Sequence, residues 1–183
     1  MARPSSTVRV FFALWPDAEA RDRLAALAKE VAARTRGRAP PATNLHVTLA
    51  FIGEVACERI EALAAIGAAI AARATPFVLT LDCRGSYRGT GIAWAGASRV
   101  PDALDELVRN LSAALAARDF PVEQRAFSPH VTLSRRSRTP EAGALAAPIG
   151  WTVARLALVA SETLSGGPHY RDLETWPLGG GDL

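Results

Sequence analysis

Residues 44–53 read Asn-Leu-His-Val-Thr-Leu-Ala-Phe-Ile-Gly, and residues 128–134 read Ser-Pro-His-Val-Thr-Leu-Ser. The tetrapeptide His-Val-Thr-Leu therefore occurs twice, beginning at His46 and again at His130. The chain has 3 histidines, and two of them belong to this repeat. We interpret the two copies as the two halves of one functional site.

The surroundings of the tetrapeptide are repeated as well. A strand pattern, a Pro-Asp pair, a helix pattern and a loop precede each copy, once near the start of the chain and once from Ile92. The Pro-Asp pairs, at Pro16 and Pro101, stand 85 residues apart, and the two histidines stand 84 residues apart. A tetrapeptide that recurs inside a matching series of elements indicates a duplicated unit.

Hydrophobic periodicity predicts the elements around these motifs. Strands are predicted at Val8–Leu14, His46–Ile52, Phe77–Cys83, Ile92–Ala97, the second tetrapeptide, Trp151–Leu164 and Tyr170–Trp176, with a turn at Arg84–Gly91. Helices are predicted from the N-cap Asp17 to about Arg34, from Cys57 to Ala72, from Asp102 to Arg118 and, briefly, from Pro140 to Ala147. Residues 179–183 are expected to be a disordered tail.

This order of strands and helices predicts an α+β fold. Because the unit is duplicated, we expect residues 1–183 to form a single bilobal domain with two antiparallel sheets. Helices would flank these sheets around a central cleft, and a pseudo-two-fold axis would relate the lobes. Each lobe would bring one tetrapeptide to the cleft.

Strand alternation places the histidine and threonine of each copy on one face and the Val and Leu on the other. The apolar pair is expected to face the core. His46 with Thr48, and His130 with Thr132, are then expected to face the cleft. Two such histidines can act as a base and an acid near neutral pH, and the threonine hydroxyls can bind phosphate oxygens.

A cation near the second copy would assist this chemistry. Arg135 or Arg136 could oppose the negative charge of a phosphate in its transition state. Strand alternation would place Arg136 on the face of His130, although the strand is expected to end near this point. A single His-Val-Thr-Leu would be weak evidence, since most strand histidines are structural; two copies at matching points favour catalysis.

Metal binding is the competing use of two histidines. The sequence has no paired His, Cys, Asp or Glu residues at ligand spacing, and two histidines with two threonines are a poor zinc or iron site. We therefore expect no metal and no cofactor. Cys57 and Cys83 are isolated and indicate neither a metal cluster nor a disulfide framework.

Composition sets only broad limits on function. Apolar residues make up 49% of the 183-residue chain, which is sufficient for a sizeable core. The net charge of +3 permits an anionic partner without requiring one. The first apolar run is too short for a signal peptide or a membrane span, so we expect a soluble, cytoplasmic monomer without a membrane partner.

The paired motifs resemble the His-x-Thr-x motifs of the 2H phosphoesterase superfamily. Their flanks resemble its branch of RNA 2′,3′-cyclic phosphodiesterases, which are also known as 2′-5′ RNA ligase-like proteins. The matching residues are Phe11–Leu14, Leu45–Gly53, Phe127–Leu133, Arg135, Tyr170–Leu173 and Trp176–Leu178. The resemblance covers almost the whole chain in family order.

This resemblance implies metal-independent hydrolysis of RNA 2′,3′-cyclic phosphate ends to 2′-phosphates, with reverse 2′-5′ ligation as a side activity. The implied substrates are cyclic-ended RNA, including tRNA fragments, or 2′,3′-cyclic nucleotides. It implies an acid/base pair (His46, His130), phosphate ligands (Thr48, Thr132, Arg135) and candidate cleft-lining residues (Phe11, Tyr170, Arg136). The sequence is symmetric about the two histidines, and our working hypothesis takes His130 as base and His46 as acid.

Two alternatives remain open from the sequence. The protein could be a 2H enzyme for another small cyclic phosphate or a 2′-5′ oligonucleotide, which the motifs do not distinguish. It could also be a non-catalytic RNA-binding module that uses the arginines of the turn at Arg84–Gly91 and those that follow the second motif. Retention of both histidines argues against the second alternative.

Overall fold

A computed structural model of the protein describes residues 6–138, 141–164 and 167–179. The helices are α1 (Ala18–Thr35), α2 (Ile60–Arg73) and α3 (Asp102–Ala116). The strands are β1 (Thr7–Leu14), β2 (Val47–Ala56), β3 (Phe77–Tyr87), β4 (Ile92–Gly96), β5 (His130–Ser134), β6 (Gly143–Val153), β7 (Arg155–Leu164) and β8 (Gly167–Pro177). Short 3₁₀ turns at Ala42–Asn44 and Cys57–Arg59 precede β2 and α2.

The eight strands form an antiparallel sheet in the order β6-β3-β4-β5-β2-β1-β7-β8. The predicted α+β fold with antiparallel strands is confirmed, and the expected two sheets are joined into one. The junction is narrow, because β2 and β5 share a single pair, Val47 with Val131. On either side of it β1 flanks β2 and β4 flanks β5, which gives the two halves matching strand orders.

The sheet is strongly curved. β6 and β7 lie in opposite halves of the strand order, yet only Ala154 separates them in the chain. Consecutive Cα atoms are about 3.8 Å apart, so the end of β6 and the start of β7 must be close neighbours. The halves therefore approach each other here as well as at the junction between β2 and β5.

The helices bind the two halves together. Helix α1 follows β1 but packs against β5 and β6 of the other half, and α3 follows β4 but packs against α2 and β2. The carboxylate of Asp17 accepts a hydrogen bond from the backbone N–H of Ala20 at 2.8 Å and caps α1, as predicted. Leu24 and Ala28 of α1 and Leu107 and Leu111 of α3 are buried. Helix α1, which connects β1 to β2, therefore covers strands of the half that contains β5. Helix α3, which connects β4 to β5, covers β2 of the other half.

Three predictions about elements are wrong. The predicted helix from Pro140 to Ala147 is strand β6 from Gly143 onward, while residues 139 and 140 lie outside the described residues. Its alanines favour a helix, but pairing with β3 and burial of Leu145 and Ile149 override that propensity.

The predicted single strand Trp151–Leu164 is interrupted at Ala154, because its first part pairs with β3 and its second with β1 and β8. The predicted turn at Arg84–Gly91 is shorter than expected, since β3 continues to Tyr87 and pairs there with Ile92 of β4. Of the expected tail, only Gly179 lies among the described residues, where it follows β8 in a turn.

Burial confirms the predicted faces of the motif strands. Val47, Leu49, Val131 and Leu133 are buried in the core. The histidines and threonines that alternate with them are partly exposed. None of the helices within the described ranges is long and apolar enough to cross a membrane.

Candidate active site

The two tetrapeptides lie side by side at the centre of the sheet. Val47 of β2 pairs with Val131 of β5 in antiparallel register. Residues that flank such a pair face one another crosswise, so each histidine lies opposite the threonine of the other copy. One backbone pair therefore brings two imidazoles and two hydroxyls to one face of the sheet.

Hydrogen bonds at both ring nitrogens orient the imidazole of His46. Its Nδ1–H donates to the backbone carbonyl oxygen of Asn44 at 2.7 Å. This bond leaves Nε2 as the acceptor, and the hydroxyl of Thr48 donates to it at 3.0 Å. The threonine of the same motif therefore binds Nε2, the ring nitrogen that can gain and lose a proton.

Three aromatic rings surround His46. The ring centroids of Phe11, Tyr170 and Trp15 lie 4.9, 5.2 and 5.4 Å from that of the imidazole. The indole Nε1–H of Trp15 donates to Asp172 at 2.9 Å and ties β8 to the end of β1. The rings bury much of the imidazole surface and fix its plane.

This environment lowers the pKa of His46 from its usual 6.5 to about 4. Burial is the main cause, because it disfavours the charged ring. The hydrogen bond to Asn44 opposes the shift, while the positive charges of His130 and Arg135 add to it. His46 is therefore neutral at neutral pH and carries a lone pair on Nε2.

His130 is oriented in the same way by its backbone but has different neighbours. Its Nδ1–H donates to the carbonyl oxygen of Ser128 at 2.8 Å. The hydroxyl of Tyr87 lies 3.2 Å from Nε2. The rings of Tyr87 and Trp94 flank the imidazole at centroid distances of 5.3 and 6.4 Å.

A cavity of about 520 Å³ opens above the two histidines. All but one of the site residues predicted from the sequence line it, namely His46, Thr48, His130, Thr132, Arg135, Phe11 and Tyr170. Its walls also include Arg9, Phe51 and Tyr87. The volume is within the range of small-molecule sites and is sufficient for a nucleotide.

Arg135 and Arg136 occupy different positions. The backbone of Arg135 pairs with that of Arg38 through N–H to O bonds of 2.8 and 2.9 Å, which extends the strand and sets Arg135 on the cavity wall. Arg136 has a left-handed backbone, with φ of 57°, and is not among the residues that line the cavity. Strand alternation ends before Arg136, and Arg135 is the cation of this pair that lines the cavity.

The sequence did not single out Tyr87, Trp94 or Trp15. Tyr87 lies in the predicted turn, Trp94 in a predicted strand, and Trp15 between the first predicted strand and the first predicted helix. One signal was available for the ring orientation: the residue two positions before each histidine, Asn44 or Ser128, supplies the same carbonyl contact. No sequence signal identifies which aromatic rings meet each histidine.

The arrangement suits proton transfer around a bound phosphate. Two histidines with fixed Nδ1–H bonds turn Nε2 towards one cavity, beside hydroxyl donors and an arginine. Within residues 6–138, 141–164 and 167–179, no group of three or more His, Cys, Asp or Glu side chains could hold a metal ion.

Comparison with known proteins gives the same picture for the whole chain. A model of the family described as LigT-like phosphoesterase matches residues 14–94 and 96–170. The RNA 2′,3′-cyclic phosphodiesterase of Escherichia coli is 33% identical over 95% of this chain and 98% of its own. The enzyme of the same name from Thermus thermophilus is 31% identical over 94% of this chain and 91% of its own.

Solved structures agree with these matches. Escherichia coli LigT crystallised with 3′-AMP has a TM-score of 0.85 at 31% identity, covering 94% of this chain and 99% of that one. LigT with phosphate has a TM-score of 0.79 at 32% identity, with 95% and 99% covered. The chain therefore belongs to the LigT-like phosphoesterase family, in agreement with the resemblance of its paired motifs to the 2H superfamily.

Proposed function

We propose that the protein hydrolyses the 2′,3′-cyclic phosphate at the end of RNA, or of a free nucleotide, to a 2′-phosphate. The observation that carries this proposal is the placement of two histidines, each fixed through Nδ1, in one cavity. The names of the relatives from Escherichia coli and Thermus thermophilus support the substrate class.

In the proposed reaction, a water molecule attacks the phosphorus on the side opposite the 3′ oxygen. One histidine takes a proton from the water as the new P–O bond forms. The other gives its Nε2 proton to the 3′ oxygen as the P–O3′ bond breaks. The products are a 2′-phosphate and a free 3′-hydroxyl, and the two histidines exchange protonation states.

The surroundings of the histidines favour His46 as the base. Burial holds His46 neutral with its ring proton on Nδ1, so Nε2 can accept a proton from water but has none to give to a leaving group. His130 then supplies the proton to the leaving 3′ oxygen. This assignment reverses our working hypothesis from the sequence, in which nothing distinguished the two copies.

The remaining cavity residues would hold the phosphate. Thr132 and Thr48 offer hydroxyls, and Arg135 offers a guanidinium that would oppose the charge of the transition state. Because one chain supplies both histidines, and because α1 and α3 each cover the opposite half, we propose that residues 1–183 act as a single bilobal monomer.

Product analysis tests the function. Purified protein is incubated with 2′,3′-cyclic AMP and with a short cyclic-ended RNA in excess EDTA, and products are compared with 2′- and 3′-phosphate standards. We expect 2′-phosphates and undiminished rates in EDTA. Binding without turnover would overturn the proposal in favour of an RNA-binding module, and a 3′-phosphate product would contradict cleavage of the P–O3′ bond.

A modified substrate tests the acid/base assignment. In a cyclic substrate whose 3′ bridging oxygen is replaced by sulfur, the thiolate leaves without being protonated. We expect this substrate to restore activity to His130→Ala but not to His46→Ala. Restoration in His46→Ala alone would reverse the two roles.

Ligation can use the same groups with a different nucleophile. A 5′-hydroxyl in the place of water would form a P–O5′ bond as the P–O3′ bond breaks, through the same two proton transfers, to give a 2′-5′ phosphodiester and a free 3′-hydroxyl; the reverse steps would cleave that linkage. We propose that any 2′-5′ joining of RNA ends occurs in this cavity. His46→Ala should therefore abolish joining and hydrolysis together.

A further inference from the structure

Tyr87 contacts the second histidine although it lies outside both motifs. It is the last residue of β3, and its hydroxyl reaches across β4 to His130. The oxygen lies 3.1 Å from Nδ1 and 3.2 Å from Nε2. An oxygen that is almost equally distant from both ring nitrogens lies over the face of the imidazole, whose plane is set by the Nδ1–H bond to Ser128, and the two rings meet at 81°.

The first histidine has a different contact, a hydrogen bond at Nε2. There the hydroxyl of Thr48, two residues along the motif, donates to Nε2 of His46. The equivalent hydroxyl of the second copy, on Thr132, makes no side-chain hydrogen bond in the part of the chain that the structure describes, yet it lines the cavity. The two copies therefore use their threonines differently.

We propose that Tyr87 is a positioning residue for His130: its hydroxyl packs against the face of the imidazole and fixes the ring, while the hydroxyl of Thr132 stays free for the phosphate. This inference rests on the proposed two-histidine catalysis. It makes the two threonines unequal before substrate binds: Thr132 is available at once, whereas Thr48 must first release His46.

The packing around Tyr87 supports a fixed position rather than a chance contact. Its ring lies against Trp94 at a centroid distance of 6.0 Å, and Trp94 lies against His130. Gly85 and Gly96 make room for the indole, because a Cβ at either position would approach the ring to 2.5 or 2.9 Å. Tyr87, Trp94 and His130 thus form one layer on the sheet.

The chemistry of a phenol suits this role. Burial raises the pKa of Tyr87, so the hydroxyl stays uncharged at neutral pH and its proton can point at the electron-rich face of the imidazole. When His130 is protonated, rotation of the hydroxyl turns an oxygen lone pair towards the charged ring. Tyr87 therefore supports the ring in both protonation states and leaves Nε2 open to the reacting oxygen.

Ring-nitrogen NMR of the free protein tests the contact directly. The protein is labelled with ¹⁵N at histidine, and the Nε2 resonances are compared between wild type and Tyr87→Phe. We expect the Nε2 resonance of His130 to move and those of the other histidines to stay. The matched control is Tyr170→Phe, which removes a phenol oxygen beside His46 and should leave the His130 resonance unchanged.

Enzyme kinetics then test the effect of the Tyr87 contact on catalysis. Loss of the hydroxyl contact that orients His130 should lower kcat of Tyr87→Phe by about tenfold while KM changes by less than about twofold. An unchanged His130 resonance, or an unchanged kcat, would overturn the inference. Failure of the proposed function is a separate result: it would appear as full activity in His130→Ala, whatever Tyr87→Phe does.

Discussion

The two copies of His-Val-Thr-Leu are identical in sequence and differ in their surroundings. His46 lies among three aromatic rings and binds its own Thr48. His130 has Tyr87 and Trp94 beside it, and its own threonine, Thr132, does not contact it. The repeat brings the proposed acid/base pair and the two threonines to one face of the sheet. The chemical difference between the two histidines comes from neighbours outside the repeat.

The neighbours differ because the flanking strands are not repeats of one another. Tyr170 reaches His46 from β8, the outermost strand of its half, while Tyr87 reaches His130 from the end of β3, which only β4 separates from β5. A two-fold arrangement of the backbone therefore encloses an asymmetric cavity. An asymmetric cavity is what a reaction with one base and one acid requires.

The largest expected effect tests the proposal that the histidines of both copies act in one site. His46→Ala and His130→Ala should each lower kcat/KM for 2′,3′-cyclic AMP by about 10³-fold, or roughly 4 kcal/mol of transition-state stabilisation. His169, which is exposed and outside the cavity lining, provides the control: His169→Ala should retain activity. Near wild-type activity in either motif variant would show that the two copies are not one site.

The next effect tests the burial of His46 through stability. Its pKa is about 4 in the folded protein against 6.5 when unperturbed, so the unfolded chain binds more protons between these values. Stability is therefore complete above pH 6.5 and falls as the pH drops towards 4, by up to about 3 kcal/mol.

Urea denaturation at pH 7 and pH 4 measures this loss. We expect the difference between the two pH values to be smaller by this amount in His46→Gln than in wild type. His130→Gln, which leaves the aromatic surroundings of His46 in place, is the matched control and should retain the loss. Equal pH dependence in wild type and His46→Gln would contradict the neutral, buried imidazole.

A smaller effect should separate the two threonines. Thr132→Val removes a hydroxyl that is free to bind phosphate, so inorganic phosphate should inhibit this variant about tenfold less strongly, or by roughly 1.4 kcal/mol. Thr48→Val should weaken phosphate inhibition less, since that hydroxyl is engaged with His46. Equal effects in the two variants would mean that both threonines act alike once phosphate is bound.

The smallest effect should separate the two arginines. Arg135→Ala removes the cation on the cavity wall and should weaken phosphate inhibition by about 1 kcal/mol or less, because its side chain is exposed and salt screens it. Arg136→Ala should change the inhibition constant by less than about twofold. The difference between the two variants should shrink as ionic strength rises; a larger loss in Arg136→Ala would place the functional cation there instead.

Much of the fold can be predicted from the sequence because helix caps and hydrophobic periodicity are strong local signals. The strand alternation at Val47–Leu49, the N-cap at Asp17 and the helix predicted from Asp102 all agree with the structure. The wrong predictions concern segments whose secondary structure depends on the strand with which they pair. An alanine-rich segment became β6 because β3 offers its edge, and β3 reached Tyr87 because Ile92 pairs there.

The sequence by itself determined the proposed reacting groups, their duplication, their shared face and the family resemblance, because period-two alternation and repeated order are properties of the chain. Only the tertiary structure decided that the two motif strands touch, that Arg135 rather than Arg136 lines the cavity, and that burial lowers the pKa of His46. It alone brought Tyr87 to His130 across 43 residues of chain. The burial of a side chain and the pairing partner of a strand depend on which distant strands become neighbours in the fold. Neither tetrapeptide contains a pattern that specifies those neighbours.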